Sequence, residues 1–183
     1  MNYYAVQIKT GQEEKIIDKA QNSLSYRMEK QRFIFPKRTL KIRKEGLQKY
    51  EEKPIFPGYF FIETDKIDNE LYSTLKQIFG FYKFLKSNQE ITPLSGKDLS
   101  ILNHFLQFGQ TISTSQVYFD KNDRICVTSG PLKGLEGLII KVDKRKKRAK
   151  VKMDFANENL LIDLGFELIK GMEEKKWMTK EFL

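Results

Sequence analysis

The spacing of apolar residues changes at a polar stretch, and this change limits the folds open to the chain. Residues 109–116 (GQTISTSQ) contain no acidic or basic residue and separate two unlike regions. Before them, apolar stripes at helical spacing alternate with short β-branched and aromatic runs. After them come only short strand-like runs divided by turn residues. The sequence therefore predicts two domains, residues 1–108 and 117–171, joined by a flexible linker at 109–116 and followed by a charged tail at 172–183.

The first domain is predicted to be an α+β sandwich with a mostly antiparallel sheet. Thr10 and Glu13 have the spacing of a capping box, which predicts a helix that runs to about residue 26. Apolar residues at helical spacing predict two more helices, at 68–79 and 95–106. Short β-branched and aromatic runs predict strands at 3–8, 32–35, 40–43, 55–62 (broken by Pro57-Gly58) and 81–85.

The second domain is predicted to be a small β-barrel, because short strands follow one another at close spacing. These strands are expected at 124–127, 136–142, 149–155, 159–164 and 166–169. Recurring Val, Ile, Phe and Thr, interrupted by Gly and Pro, favour strands over a helical hairpin here. Nothing in the linker would anchor the two halves to one another, so they are expected to move independently.

Positive charge predicts an acidic partner, either nucleic acid or an anionic surface. The net charge is +9 and the isoelectric point is about 9.4. Residues 30–49 hold eight Lys or Arg against one acid, and 144–148 are five basic residues in a row at a predicted hairpin tip. Adjacent like charges repel unless an acidic group relieves them, as phosphates do; the alternative is a solvated loop. The candidate nucleic-acid contacts are Lys37, Arg38, Lys41, Arg43, Lys44, Lys144, Arg145, Lys146, Lys147 and Arg148.

Catalysis, metal binding and cofactor binding find no support in the sequence. The single cysteine, Cys126, excludes an intrachain disulfide and lies in an apolar run that predicts a buried, inert thiol. His104 is the only histidine, and the carboxylates are scattered among lysines. There is no apolar stretch long enough to span a membrane and no secretory signal, so a cytoplasmic protein is expected.

Two groups of residues resemble the domains of one known family. Residues 125–137 (ICVTSGPLKGLEG), continuing to Ile140 and Asp143, resemble the KOW motif, with a tight turn at Gly130-Pro131. The N-terminal matches are Tyr3-Tyr4-Ala5-Val6, Gly11 with Glu13, Phe56-Pro57-Gly58-Tyr59-Phe60-Phe61-Ile62 and Gly80-Phe81. Together they resemble the NusG family of transcription elongation and antitermination factors, over residues 2–106 and 120–170. The extra positive charge is similar to that of a specialised paralogue of the LoaP type, which also grips RNA.

The resemblance implies a non-enzymatic, monomeric factor with an NGN domain followed by an SH3-like, five-stranded KOW barrel. In the family, the NGN domain offers a hydrophobic depression to the clamp helices of the largest catalytic subunit of RNA polymerase. The matching residues are Tyr3, Phe56 and Tyr59, with Pro57 shaping the turn. The alternative is that Phe56 and Tyr59 are core aromatics. Against it, residues on both sides of a Pro-Gly break cannot all point inward, and a tyrosine hydroxyl favours partial exposure.

The resemblance also implies contacts to nucleic acid and to a second protein. Non-template DNA would lie near the start of the second helix, at Tyr72, Ser73 and Lys76. The barrel would bind nascent RNA, a ribosomal protein or the termination factor Rho along an edge. The matching edge residues are Met153, Phe155, Leu160 and Ile162. Ala156-Asn157-Glu158 stands where the family commonly has a small-basic pair, which argues against the ribosomal and Rho contacts.

Three functional hypotheses follow. The first is a processivity or antitermination factor that bridges the polymerase cleft. The second is a pausing or termination co-factor with the same polymerase contact and Rho as its second partner. The third is a ribosome-associated KOW protein, which would sediment with ribosomes and would not bind polymerase.

Overall fold

The computed structural model describes residues 1–85 and 89–169. The chain forms two compact units, each built from more than one segment. The first unit comprises residues 1–36, 54–106 and 154–158, and the second comprises 37–53, 107–153 and the residues from 159 onward. These boundaries differ from the predicted domains 1–108 and 117–171, which stay a prediction. The predicted tail at 172–183 lies outside the described residues.

Twelve strands and three α-helices make up the described residues. The strands are β1 Asn2–Ile8, β2 Arg32–Ile34, β3 Lys37–Lys44, β4 Leu47–Pro54, β5 Tyr59–Thr64, β6 Phe81–Phe84, β7 Thr111–Ile112, β8 Ser115–Phe119, β9 Ile125–Ser129, β10 Ile139–Asp143, β11 Arg148–Phe155 and β12 Glu158–Leu168. The helices are α1 Glu13–Ser23, α2 Asn69–Gln77 and α3 Gly96–Leu106, with short 3-10 turns at Ser25–Lys30 and Glu136–Leu138. None of the helices within these residues is long and apolar enough to cross a membrane.

The first unit is built on a four-stranded sheet in the order β2-β5-β1-β6. The central strand β1 pairs antiparallel with β5, so that Tyr3 lies opposite Glu63 and Ala5 opposite Phe61. Successive side chains of a strand point to opposite faces. One face, which includes Val6 and Phe60, packs against apolar residues of α1 and α2 in a buried core. The other face carries Tyr3, Tyr59 and Phe61.

Two helix starts show how well local signals predict structure. The predicted capping box at Thr10 and Glu13 is wrong: the residue before α1 is Gln12, and it makes no side-chain capping bond. The Glu13 carboxylate is buried and accepts a hydrogen bond from the Gly58 amide instead. By contrast, the Asp68 carboxylate accepts from the Leu71 amide at 2.9 Å and caps α2, where the sequence predicts a helix.

The second unit contains a five-stranded sheet in the order β10-β11-β12-β8-β9. Its first strand, β8, begins at Ser115, inside the segment predicted as a linker. Ser115 is buried, and its hydroxyl accepts a hydrogen bond from the Leu132 amide at 2.9 Å. A Cβ on Gly130 would lie 2.7 Å from the Cα of Ser115, so a glycine is needed there. A polar residue thus serves as a buried anchor, and the flexibility of 109–116 stays a prediction.

The last strand of this sheet is longer than expected. β12 runs without interruption where the sequence predicts two strands, at 159–164 and 166–169. Gly165 continues the strand, and its missing side chain makes room for Thr114, whose Cγ2 would lie 2.9 Å from an added Cβ. The fold class is nevertheless as predicted, because helices on an antiparallel sheet and a separate five-stranded sheet are both present.

A hairpin of β3 and β4 forms a third, three-stranded sheet with β7. Its tip lies at Glu45 and Gly46, which have φ angles of +54° and +78°, as the sequence predicts for a protruding loop. Strand β4 was not predicted, because half of its residues (LQKYEEKP) are charged and most of its side chains are exposed. The hairpin belongs to the second unit.

Candidate functional site

Five aromatic side chains meet in the first unit, and we call them the aromatic cluster: Phe56, Tyr59, Phe61, Phe105 and Phe155. The ring centroid of Phe56 lies 5.1 Å from that of Phe61, 5.9 Å from Phe105 and 4.7 Å from Phe155. The Phe155 ring also lies 5.7 Å from Tyr59 and 6.0 Å from Phe61. These distances suit favourable tilted and edge-to-face aromatic pairs. The cluster joins β5 and the turn before it to α3 and to the end of β11.

Hydrogen bonds to the N-terminal segment hold the turn that carries Phe56 and Tyr59. The Gly58 amide donates to the Glu13 carboxylate at 2.9 Å, and this bond is buried. The Ile8 amide donates to the Gly58 carbonyl at 2.8 Å, and the Tyr59 amide donates to the Phe56 carbonyl at 3.0 Å. Because buried hydrogen-bonding groups are costly to leave without partners, these bonds hold both aromatic residues in one arrangement.

Phe155 enters the cluster from the segment Asp154–Glu158, which we call the hairpin tip because it joins β11 to β12. Ala156 and Asn157 have φ angles of +57° and +63°, as a two-residue hairpin turn requires. The Ala156 amide donates to the Asp98 carboxylate of α3 at 3.0 Å, and Lys97 Nζ lies 2.9 Å from the Asp154 carboxylate. The Lys97–Asp154 pair is largely exposed and contributes little, so the Phe155 ring and the Ala156–Asp98 hydrogen bond are the main attachments of the hairpin tip.

Phe56 and Tyr59 are not exposed as the sequence predicts, and that expectation is wrong for this structure. Only 1% of Phe56 and 8% of Tyr59 are exposed, and the ring of Phe155 is among those that pack against both. Pro57, which shapes their turn, is half-buried. Burial, together with the negative charges of Glu158 and Asp98, raises the pKa of the Tyr59 hydroxyl. The structure therefore brings the polymerase-binding candidates together with a residue predicted to bind a different partner.

Tyr3, the remaining polymerase candidate, lies on β1 on the same face of the sheet as Phe61. It is half-buried and hydrogen-bonds to the Glu63 carboxylate, which also pairs with Arg32 at 2.6 Å. Partial burial is the largest cause that raises the pKa of its hydroxyl, followed by the contact with Glu63. Tyr3 is thus placed by polar contacts, whereas the aromatic cluster is placed by ring packing.

The basic candidates of the first charged segment lie on β3 in the second unit: Lys37, Arg38, Lys41, Arg43 and Lys44. Arg43 and Lys44 are exposed next to the hairpin's turn, while Lys37 pairs with Glu52 of β4 at 3.4 Å. Arg38 is half-buried, and burial is the main cause that lowers its pKa to about 10. Arg148 lowers that pKa further, and Asp163 raises it. Arg38 therefore stays charged at neutral pH beside a second arginine.

The basic run Lys144–Arg148 lies at the β10–β11 turn, as predicted, and some of its charges are already relieved by acidic groups of the protein. Lys144 pairs with Asp123 and lies 4.0 Å from the ring centroid of Phe119. Lys147 pairs with Glu167 at 2.6 Å, and Arg148 Nη2 donates to the Lys41 carbonyl at 2.9 Å. These contacts within the second unit already relieve much of the charge. Arg145 and Lys146 are exposed as well, make no ion pair within residues 1–85 and 89–169, and act on Asp143 only by helping to lower its pKa.

A small cleft of about 140 Å³ lies beside the run. Its lining residues are Lys141, Asp143, Lys146, Arg148, Lys150 and Asp163. Lys150 lies 3.5 Å from Asp163, and the Asp143 carboxylate accepts a hydrogen bond from the Lys146 amide at 2.8 Å. That backbone bond is the first cause that lowers the pKa of Asp143. Four basic groups outnumber two acids here, so the cleft favours an anion.

The candidates on α2 lie on a partly exposed side of the helix. Tyr72 is half-buried, with its ring 6.2 Å from Phe84, while Ser73 and Lys76 are exposed. Lys76 Nζ lies 5.9 Å from the Tyr72 ring centroid. The two exposed side chains can reach a ligand, and Tyr72 offers only part of its ring.

Three of the four predicted barrel-edge residues are buried. Met153 and Ile162 are 2% and 1% exposed, Phe155 lies in the aromatic cluster, and Leu160 is half-buried. Strand alternation explains this, because Met153 and Phe155 are two apart on β11 and share its inward face. The exposed apolar residues of this sheet that the sequence analysis missed include Leu161, at 53%, and Ile140, at 54%. For Leu161, the alternation of side chains along β12 is the signal that could have predicted its exposure, because its neighbour Ile162 points inward.

Asp98 and Phe105 of α3 were also missed as members of the candidate site. Nothing local marks them, because their partners Ala156 and Phe56 lie elsewhere in the sequence. The predicted fully buried Cys126 is half-buried. Within residues 1–85 and 89–169, no three His, Cys, Asp or Glu side chains are grouped so as to hold a metal ion.

Comparison with known proteins decides the family. The family model described as "Transcription termination factor nusG" matches residues 1–103, which is more than half of the chain. This chain belongs to the NusG family. It is therefore a member of a family of transcription termination and antitermination proteins, as the sequence resemblance predicts.

Relatives of this NusG-family chain match it over most of its length. The "Transcription termination/antitermination protein NusG" of Helicobacter pylori is 24% identical over 170 residues, 90% of this chain and 94% of that protein. The proteins of the same name from Bacillus subtilis and Thermus thermophilus are 25% and 24% identical, each over 92% of this chain and 97% of the relative. A solved structure described as "Domain interaction in Thermotoga maritima NusG" matches with a TM-score of 0.56 at 18% identity, covering 90% of this chain and 93% of that one. This likeness confirms the NGN and KOW fold class.

Proposed function

We propose that this protein is a transcription elongation factor that binds the clamp helices of the largest RNA polymerase subunit and promotes processive elongation or antitermination. Family membership and relatives named for termination and antitermination support the proposal. On this proposal the factor acts in the cytoplasm as a monomer, by binding alone, and makes or breaks no bond.

The aromatic cluster is the observation that carries the proposal. Aromatic side chains are enriched at the centres of protein interfaces, where they supply a large apolar area. Phe56 and Tyr59 flank a turn fixed by the Glu13–Gly58 hydrogen bond, so little order would have to be gained on binding. Tyr59 also has a hydroxyl, which can hydrogen-bond at a partner's surface.

Polymerase and Phe155 would compete for the same rings. Phe155 packs against both rings and only 1% of Phe56 is exposed, so a partner that binds these rings would have to displace the hairpin tip. A partner that binds only the uncovered state shifts the population toward it. We therefore infer that release of the hairpin tip precedes, or accompanies, polymerase binding.

The second unit would supply the contact to nascent RNA. Exposed Arg145 and Lys146, together with Arg43 and Lys44 at the end of β3, place positive charge at or next to two turns of this unit. Such groups neutralise phosphates and release the counterions condensed on the nucleic acid, which makes binding favourable and dependent on salt. Lys76 and Ser73 of α2 remain the proposed contacts to non-template DNA.

The test is polymerase binding by Phe56→Ala and Tyr59→Ala. Truncating an aromatic residue at the centre of an interface commonly costs about 2 kcal/mol, or roughly 30-fold in affinity. Tyr50→Ala is the matched control, because Tyr50 is an exposed aromatic residue on β4 and should have no effect. Circular dichroism and melting must show that each variant is folded. Folded Phe56 and Tyr59 variants that bind polymerase as tightly as the parent would refute the proposed surface.

A second candidate is a termination co-factor that uses the same polymerase contact and Rho. It is favoured by the names of the relatives, which join termination to antitermination. A runoff assay across a terminator, with and without Rho, separates the two. More readthrough supports the first function, and more Rho-dependent release supports the second.

A further inference from the structure

The small cleft beside the basic run brings together residues of β10, β11, β12 and the turn between the first two, all within the second unit. We call it the Arg148 cleft, and its lining residues are Lys141, Asp143, Lys146, Arg148, Lys150 and Asp163. Its volume of about 140 Å³ lies well below the roughly 300 Å³ at which sites for drug-sized ligands begin. A cleft of this size suits a small ion or the end group of a larger ligand.

Strand pairing brings like charges together at the Arg148 cleft. Lys141 of β10 lies directly opposite Lys150 of β11, and like charges in such positions destabilise a sheet. Lys150 has a counterion, since its Nζ lies 3.5 Å from the Asp163 carboxylate. Lys141 is exposed, makes no ion pair within residues 1–85 and 89–169, and acts on Asp143 only by helping to lower its pKa. An anion between the two lysines would relieve their repulsion.

Arg148 has a hydrogen-bond donor that the described part of the chain does not use. Its Nη2 donates to the Lys41 carbonyl at 2.9 Å, which holds the guanidinium against β3. Its Nε is buried and has no hydrogen-bond partner among residues 1–85 and 89–169. Buried polar groups nearly always have a partner, so a donor left over on a residue that lines a cleft indicates a place for an external acceptor. A guanidinium favours the oxygens of carboxylates and phosphates.

The two carboxylates of the cleft do not cancel its positive charge. Asp143 accepts a hydrogen bond from the Lys146 amide at 2.8 Å and thereby orders the turn, while Asp163 lies near Lys150. Arg38 of β3 adds a further positive charge next to Arg148. Burial is the main cause that lowers the pKa of Arg38 to about 10, so it stays protonated at neutral pH. Positive charge therefore exceeds negative charge both in the cleft and beside it.

We propose that the Arg148 cleft binds a single phosphate group, either as inorganic phosphate or as the terminal phosphate of a free nucleotide. Arg148 donates to one of its oxygens, and Lys141 and Lys150 neutralise its charge, because charge-assisted hydrogen bonds to phosphate are strong. The bound group also stabilises the β10–β11 hairpin by separating the two lysines. The site does not depend on the proposed polymerase contact. It also differs from the proposed RNA contact, in which exposed turn residues such as Arg145 meet the phosphates of a chain.

The direct test is titration of the full-length protein with inorganic phosphate at constant ionic strength, followed by the NMR shifts of the amides of residues 141–150. We expect these shifts to saturate with phosphate and not to change with chloride. Lys141→Gln and Lys150→Gln should each weaken binding by about 5-fold or more, because each removes a charge that faces the phosphate. Adenosine 5′-monophosphate and adenosine distinguish the sources. Binding of the nucleotide but not of adenosine means that a terminal phosphate fits, and binding of inorganic phosphate alone means that the cleft holds only the free ion.

Arg145→Gln is the matched control, because Arg145 belongs to the same basic run and carries the same charge but does not line the cleft. It should change the phosphate affinity by less than about 2-fold, since salt screens exposed charges that make no direct contact. Phosphate should also raise the melting temperature of the parent, because a ligand that binds only the folded state stabilises it. This rise should be smaller in Lys141→Gln. Lys141 is exposed, so its replacement is not expected to impair folding, and melting without phosphate checks this.

Three results would overturn the proposal. The first is a set of shifts that do not saturate, or that chloride reproduces, which would mean general screening by salt. The second is equal weakening of phosphate binding by Arg145→Gln and Lys141→Gln, which would mean a diffuse positive surface without a defined site. The third is binding of single-stranded RNA that Lys141→Gln weakens while neither inorganic phosphate nor adenosine 5′-monophosphate binds. In that case the cleft would be part of the RNA contact alone.

Discussion

The side chain of Phe155 lies against the rings of Phe56, Tyr59 and Phe61, and it is only 3% exposed. Polar contacts of the hairpin tip, at Asp154 and Ala156, are few and partly exposed. Burial of this ring therefore contributes to the free energy that keeps the candidate polymerase surface covered.

Replacing that ring should free the hairpin tip. Burying a phenylalanine side chain contributes about 1.5–3 kcal/mol, so Phe155→Ala should make local opening roughly 10- to 150-fold more frequent. The readout is hydrogen exchange of the Ala156 amide, which is bonded to Asp98 in the covered state. Leu161→Ala, which truncates an exposed residue of the same hairpin, should not change it. Equal exchange rates in Phe155→Ala and the parent would show that the ring does not hold the tip.

The Tyr59 hydroxyl makes the covered state sensitive to high pH. Its pKa is raised by burial, then by Glu158 and Asp98, so the covered state binds the phenol proton more tightly than the uncovered one. The protonated hydroxyl favours the covered state. This contribution to the stability of the covered state is fully present below the ordinary tyrosine pKa of about 10 and is lost as pH rises through the raised pKa. Exchange of the Ala156 amide, corrected for the intrinsic pH dependence, should therefore show extra opening above pH 10 in the parent. In Tyr59→Phe that extra opening should vanish; if it persists, another group is responsible.

At the scale of elements, the basic run combines two kinds of side chain. Lys144, Lys147 and Arg148 have partners within the second unit, whereas Arg145 and Lys146 are exposed. A charge already paired with a carboxylate gains less from a phosphate than an exposed one does. The exposed pair should therefore carry most of any contribution that the run makes to RNA binding.

Substitution by glutamine tests this division. Arg145→Gln with Lys146→Gln should lower the slope of log affinity for single-stranded RNA against log salt by about 1.4, at about 0.7 per bound phosphate. Lys144→Gln with Lys147→Gln removes the same charge and is the matched control, with a smaller expected change. Equal changes in the two double variants would contradict the division, and no change in either would mean that the run is a solvated turn.

Elements with strong periodicity could be predicted from the sequence, and those set by distant contacts could not. Buried and more exposed side chains alternate along β11, and the matching alternation of apolar and polar residues in its sequence predicts a strand. Strand β8 was missed because its buried Ser115 looks like a linker residue until Leu132 and Gly130 are placed beside it. Glu13 likewise suggested a capping box, but Gly58, from a different part of the chain, takes its carboxylate.

The sequence predicts which residues belong to the candidate site, but it does not predict whether their side chains are exposed. Phe56 and Tyr59 could be named because they lie in a phrase that resembles the NusG family. Their burial could not be foreseen, because the covering residue, Phe155, lies far along the chain and was assigned to a different surface. The expectation of two halves with nothing to anchor them together stays a prediction.

At the scale of the whole molecule, one aromatic surface is proposed to have two alternative uses. The rings of Phe56 and Tyr59 are covered by Phe155 in the structure and are proposed to be covered by polymerase during elongation. Each additional kcal/mol that favours the covered state lowers the apparent affinity for polymerase by about 5-fold. Removal of the covering ring should therefore strengthen binding, whereas removal of a ring that contacts polymerase should weaken it.

The most direct measurement is the affinity of core RNA polymerase for the parent, Phe155→Ala, and Phe155→Ala combined with Tyr59→Ala. We expect Phe155→Ala to bind polymerase with an affinity at least about 10-fold higher than that of the parent, because the covered state no longer competes with polymerase for the rings. Adding Tyr59→Ala should reverse the gain, because a ring that contacts polymerase is then missing. Circular dichroism should show all three proteins folded. A folded Phe155→Ala variant that binds polymerase no better than the parent would contradict the proposed competition between Phe155 and polymerase.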